Sequence, residues 1–146
     1  GDIPFIISDV EFPPHAPVPR NPVDFAGANR TALMEASVLN RMAQLDYIDC
    51  LICNTPISFY DTTRVSAAEQ EKLLTRAGEL LTEIPQKYGK PLATVGFGFG
   101  DAFVSDLMKK ILDGAGITSY PIPEAAVKAI WTLLRYAEIK RQFVDG

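Results

Sequence analysis

Residues 91–97 read PLATVGF, a nearly continuous apolar run that leads into the glycine-rich stretch GFGFG at residues 96–100. A strand that is buried on both faces of a parallel sheet has such a run, whereas a half-exposed strand alternates between apolar and polar residues. The stretch therefore predicts a buried parallel strand, and its setting among helical patterns predicts an α/β fold.

Four amphipathic helices surround this strand in the sequence. Thr31 is the expected N-cap of the first helix, which runs to Leu45. The motif SAAE at residues 66–69 is a capping box, and we expect Pro85 and then Gly89 to end its helix. A third helix begins after Asp101 and ends at Gly114. The last helix covers residues 124–143, and its predicted inward side chains are Val127, Ile130, Trp131, Leu134 and Ala137.

Two further strands are predicted at Tyr47–Cys53 and Ile117–Tyr120. Helices and strands that alternate with short connections form a parallel sheet. Three strands are fewer than the usual five, so we expect the sheet to be incomplete on its N-terminal side. Residues 1–24 contain six of the eleven prolines and are assigned to a connector with one edge strand at 3–10, because proline cannot occupy a central strand. Residues 25–146 form the α/β domain.

The composition argues against a membrane-spanning protein and a nucleic-acid-binding protein. The 146 residues are 47% hydrophobic and 22% charged, with a net charge of −4, which is typical of globular domains. No run approaches the roughly 20 apolar residues of a membrane helix, and no basic cluster suggests nucleic acid. The sequence begins with Gly1 rather than Met, so we expect an excerpt of a longer protein.

The two cysteines, Cys50 and Cys53, have C-x-x-C spacing. On a strand, residues three apart lie about 10 Å from each other and point to opposite faces, so they cannot form a disulfide. We expect two buried structural thiols in a reducing, cytoplasmic setting. His15 is the single histidine, and with so few ligands we expect no metal site. The sequence shows no spacing typical of a catalytic triad or a catalytic carboxylate pair, so no catalytic residue is predicted.

Two loops follow predicted strands and precede helices, Asn54–Ser58 and Gly96–Gly100. In parallel sheets, ligands bind outside the carboxyl ends of the strands, and helix N-termini there favour anions. The loops therefore could contact an anion, or they could simply make the turn from strand to helix. The pattern G-x-G-x-G differs from the dinucleotide fingerprint.

Several short motifs, in this order and at this spacing, resemble the CoA-ligase lobe of NDP-forming acyl-CoA synthetases, relatives of succinyl-CoA synthetase. They are NPVDFAG at 21–27, DYID at 46–49, KPLATVG at 90–96, LDGAGI at 112–117, YPIPEAA at 120–126 and LRY at 134–136. The resemblance covers roughly residues 20–140 and implies a flavodoxin-like three-layer fold with a short, mostly parallel sheet.

The resemblance implies a reversible reaction in which acyl-CoA, ADP and phosphate exchange with carboxylate, CoA and ATP through an acyl phosphate and a phosphohistidine. It assigns Asn54, Thr55 and Ser58 to the phosphoryl group. The expected partners are a second CoA-ligase lobe, a CoA-binding domain and an ATP-grasp domain, with no nucleic acid and no membrane. This chain alone is expected to bind no cofactor; the complete enzyme would use CoA and ATP or ADP.

The glycines Gly96, Gly98 and Gly100 are expected to line the same edge, while Asn21 and Asp24 are expected to fix the turn that leads into the domain. His15 does not match the family's phosphohistidine, and NTPIS at 54–58 replaces its glycine-rich loop. We therefore expect the isolated chain to be inactive. Two alternatives remain: a non-catalytic assembly module, and a flavodoxin-like binder of FMN or a nucleotide.

Overall fold

The computed structural model describes residues 31–55, 66–96 and 102–144. Helices and strands alternate along these residues in the order α1 (Ala32–Ala43), β1 (Leu51–Asn54), α2 (Ala67–Lys87), β2 (Leu92–Val95), α3 (Ala102–Gly114), β3 (Ser119–Tyr120) and α4 (Pro123–Val144). The predicted connector and edge strand lie outside these residues, as do Asn21 and Asp24.

The three strands form one parallel sheet in the order β1-β2-β3. Leu51 pairs with Leu92, and Thr94 pairs with Ser119. Helices α2 and α3 are the crossover connections between neighbouring strands. The predicted α/β class is confirmed, with the short parallel sheet and helical layers of a flavodoxin-like three-layer fold.

The strands are shorter than predicted. The sequence predicts a first strand over residues 47–53, but residues 45–48 form a turn, in which the Ile48 amide donates to the Leu45 carbonyl at 3.1 Å and Tyr47 is exposed. Pairing with the neighbouring strand begins at Leu51, whose amide donates to the Pro91 carbonyl at 2.9 Å.

Apolar side chains pack on both faces of the sheet. On one face, Leu51 and Leu92 join a large cluster with buried residues of α1, α2 and α3. On the other face, Ala93 packs with Ala126 and Ile130 of α4. Neighbouring residues of a strand point to opposite faces, so β2 contributes to both clusters, as its apolar sequence predicts.

The helix ends follow their capping signals. The Thr31 hydroxyl accepts from the Met34 amide at 2.9 Å, and Ser66 and Glu69 form the predicted capping box. Helix α2 continues through Pro85 to Lys87, with Tyr88 as its C-cap and Gly89 at φ +65° just beyond, so the helix ends before Gly89 as predicted. Since Pro85 lies in the last turn, its missing N–H removes a single bond near the helix end.

A Schellman motif ends α3. The Ile117 amide donates to the Leu112 carbonyl at 2.9 Å, and the Gly116 amide donates to the Asp113 carbonyl at 3.1 Å. Gly116 has φ +70°, which glycine adopts without strain. Leu112 and Ile117 are both buried in the large cluster, so the motif also fixes where the chain enters β3.

The inward face predicted for α4 is wrong in part. Ile130 is buried, but Val127, Trp131 and Leu134 are exposed, at 54%, 63% and 36%. Length explains the difference. A four-residue strand spans about 13 Å and a 22-residue helix about 33 Å, so these strands cover only part of α4.

Candidate functional site

The three parallel strands end at the same border of the sheet, called here the carboxyl edge (Asn54, Thr55, Thr94, Val95, Gly96 and Ser119). Hydrogen bonding continues one residue past the strands, since the Thr55 amide donates to the Val95 carbonyl at 3.0 Å and the Gly96 amide donates to the Tyr120 carbonyl at 2.7 Å. The structure thus brings Asn54, Thr55 and Gly96 together, as the sequence predicts. Ser58, Gly98 and Gly100 lie outside the described residues.

Thr55 is buried, and its hydroxyl group is bound by protein atoms. It donates to the Gly96 carbonyl, and its oxygen lies 3.3 Å from the Ser119 hydroxyl oxygen. These contacts join the ends of β1 and β3 across the turn after β2. Thr55 therefore holds the carboxyl edge together, and Asn54, which is exposed at the end of β1, is the better placed of the two to contact a ligand.

Gly96 follows β2 in a left-handed backbone conformation. Its φ is +70°, and a Cβ at this position would meet no atom within 4 Å. The requirement for glycine is thus conformational, because other residues rarely adopt this φ without strain. The partly buried backbone of Gly96 lies beside Thr55 at the end of β2.

Thr94 is a residue of this edge that the sequence analysis missed. It is fully buried, and its hydroxyl has no hydrogen-bond partner. In the sheet register it lies between Cys53 and Ser119, which gives a row of small polar side chains across the strands. A buried polar group without a partner costs about 1–3 kcal/mol. The signal in the sequence was a threonine inside an otherwise apolar strand.

The two cysteines are free, and both are partly buried where the sequence predicts buried thiols. Cys50 packs with the α4 cluster and Cys53 with the opposite one, so the predicted orientation to opposite faces is confirmed. Burial and Asp49 raise the pKa of the Cys50 thiol. Burial and, to a smaller extent, Glu35 raise the pKa of Cys53. Neither thiol favours the reactive thiolate at neutral pH.

Helices α2 and α3 follow β1 and β2, and they differ in the charge near their first turns. The capping box of α2 places the Glu69 carboxylate at that N-terminus, 3.0 Å from the Ser66 hydroxyl. A carboxylate there competes with any other anion for the helix dipole and the free amides. The first turn of α3, residues 102–105, contains no acidic residue, although Asp101 precedes it in the sequence.

Within the described ranges, no group of three or more His, Cys, Asp or Glu side chains could hold a metal ion. In those same ranges, no helix has the length and apolar character required to cross a membrane. No protein-family model, curated protein or solved structure matches this chain.

Proposed function

We propose that the chain is a lobe of an NDP-forming acyl-CoA synthetase and that its carboxyl edge contacts a phosphoryl group. The observation that carries the proposal is the grouping of Asn54, Thr55 and Gly96 beside the unpartnered hydroxyl of Thr94. Ligands of parallel sheets bind at this border. The motif order from NPVDFAG to LRY supplies the reaction class.

The residues of the carboxyl edge have different proposed roles in binding the phosphoryl group. Asn54 and Ser58 are the proposed phosphoryl contacts, while Thr55 positions Asn54 by joining the strand ends. Gly96, Gly98 and Gly100 allow the backbone to approach the ligand closely, since they have no Cβ. The phosphohistidine, CoA and ATP or ADP belong to other domains of the proposed enzyme, so the chain contributes binding and orientation rather than a reacting atom.

Inorganic phosphate is the probe that tests this site, monitored by the amide NMR spectrum of the 146-residue chain. We expect shifts at Asn54, Thr94 and Gly96. Asn54→Asp places a negative charge at the edge without a change of shape and weakens binding, because like charges repel. Gln86→Glu on the exposed side of α2 is the matched control, and it leaves binding unchanged. A spectrum that phosphate does not alter would overturn the proposal.

A second test uses the complete synthetase. Ser58→Ala is expected to lower turnover while the far-UV circular dichroism spectrum stays the same, since the hydroxyl serves the ligand. An unchanged turnover would remove Ser58 from the site.

The assembly module is the second candidate function, and the exposed apolar residues of α4 favour it. A large exposed apolar patch is typical of protein contact surfaces. This function predicts association without any response to phosphate, so the NMR titration distinguishes the two. The FMN binder predicts instead that added FMN, and not phosphate alone, shifts the amides of the carboxyl edge.

A further inference from the structure

One side of α4 is a line of residues that no part of the sheet covers. Val127, Trp131 and Leu134 form its centre, exposed at 54%, 63% and 36%. They lie about a quarter of a turn around the helix from Ala126 and Ile130, which face the sheet. Four other apolar side chains of α4 are exposed outside this line: Tyr136 and Phe143 lie on the far side of the helix, Ile139 lies about a third of a turn away, and Leu133 lies close to the side of Ala126.

This line follows a regular spacing. Residues 124, 127, 131, 134, 138 and 141 are separated alternately by three and four positions, which is the spacing of a helix seam that packs against another helix. We call them the α4 seam. Glu124 lies in the first turn of α4 and Arg141 in its last turn, and both are exposed. The seam is therefore apolar in the middle, acidic at one end and basic at the other.

We infer that the α4 seam binds the same seam of a second copy of this chain, with the two helices antiparallel. In an antiparallel pair, Glu124 of each copy faces Arg141 of the other copy. The same alignment places Trp131 against Leu134 of the second copy, twice. A parallel alignment would instead bring like charges together, so the charges of the seam favour the antiparallel pair.

The remaining position of the seam is compatible with this pairing. Glu138 would face Val127 of the second copy, and its carboxylate already accepts from Arg135 at 2.7 Å on the same helix. This ion pair is exposed at the side of the seam, so Glu138 can keep its partner while its methylene groups contact Val127. The seam from 124 to 141 is about 25 Å long.

Sedimentation equilibrium of the 146-residue chain tests the pairing. We expect the apparent mass to rise from 16.0 kDa toward twice that value as concentration increases. Trp131→Lys places a charge at the centre of the seam and is expected to weaken the dimer at least about tenfold. Leu73→Lys is the matched control, because Leu73 is also a partly exposed apolar residue, at 41%, but lies on α2. Circular dichroism checks that both variants fold.

Charge exchange tests the antiparallel alignment. Glu124→Arg alone and Arg141→Glu alone are each expected to weaken the dimer about fivefold, because each creates like-charge contacts at both ends. The double variant restores both pairs and is expected to dimerise like the original chain. The helix dipole alone predicts the opposite, since both exchanged charges oppose it and their effects would add.

Three results would overturn the inference. The first is a mass of one chain at every concentration. If deletion of residues 1–30 then changed hydrogen exchange along the seam, that segment would be its occupant; without such a change the seam would be left to another protein. The second is a dimer that Trp131→Lys does not weaken. The third is a double charge variant that dimerises more weakly than either single variant.

Discussion

The two faces of the sheet differ in how completely they are covered. On one face, three helices enclose a core in which Leu74, Leu81 and Ile84 are almost fully buried. On the other face, α4 is the helix that packs in the described structure, and its buried contacts are Ala126 and Ile130. Ile52 of β1 remains 38% exposed. One face of the sheet is therefore fully covered by helices, whereas α4 on the other face keeps an exposed apolar surface. We expect association at that surface.

The largest effect should come from the same substitution made on each face. Leu81→Ala removes a fully buried side chain from α2 and is expected to lower the free energy of unfolding by about 2–5 kcal/mol. Leu133→Ala on α4, where the side chain is 58% exposed, should change it by less than about 0.5 kcal/mol. Urea unfolding measures both, and it should be done on dilute samples. Equal losses would contradict the proposed difference between the faces.

A smaller effect is expected where α2 and α3 meet. A Cβ on Gly78 would lie 2.3 Å from Cγ2 of Ile111, an atom next to the α3 backbone that cannot move far. Gly78→Ala should therefore destabilise the core on the fully covered face by about 1–2 kcal/mol even though alanine favours the helix. Gly114→Ala is the control, since its Cβ meets no atom within 4 Å; it should be neutral or stabilising. Thermal unfolding of both variants gives the comparison.

Two substitutions at the carboxyl edge should change the free energy of unfolding least, and in opposite directions. Thr94→Val replaces an unpartnered hydroxyl with a methyl group of similar shape, so it should raise stability by about 1 kcal/mol. Thr55→Val removes the contacts to Gly96 and Ser119 and should lower stability by a similar amount, about 1 kcal/mol. If Thr94→Val instead lowered stability in the same urea assay, the hydroxyl would have a structural role. It would then no longer support the proposed binding site.

The sequence predicts the fold well because the signals are local. The apolar run at 91–97 and the capping box at Ser66 each fix one element, and alternation then requires parallel pairing. Periodicity places Ile130 on one side of α4 with Val127, Trp131 and Leu134, but of these four only Ile130 is buried. It does not show which side is covered, because that depends on the length of the strands beneath. The sequence therefore predicts Trp131 in the core, whereas the structure exposes it.

The candidate site is predictable in position but less so in detail. The rule for parallel sheets places Asn54, Thr55 and Gly96 at one edge from their order in the chain. Which of these residues is structural and which can contact a ligand depends on contacts between residues distant in the sequence. Thr55 bonds to Gly96, and the Thr94 hydroxyl has no partner. No spacing in the sequence encodes those contacts. The sequence predicts the capping of α2 by Glu69. That this carboxylate competes with an anion for the N-terminus of α2 becomes clear only when the helix is seen beside the strand ends.

Phosphate titration of the Trp131→Lys chain, followed through its amide NMR spectrum, tests the central claim most directly. In this variant the α4 seam is disabled while the carboxyl edge is untouched. We predict shifts at Asn54, Thr94 and Gly96 with the same affinity as in the parent chain, which would show that the edge binds an anion independently of association. Shifts that are absent from these residues in both chains would contradict the claim that the carboxyl edge is a phosphoryl site.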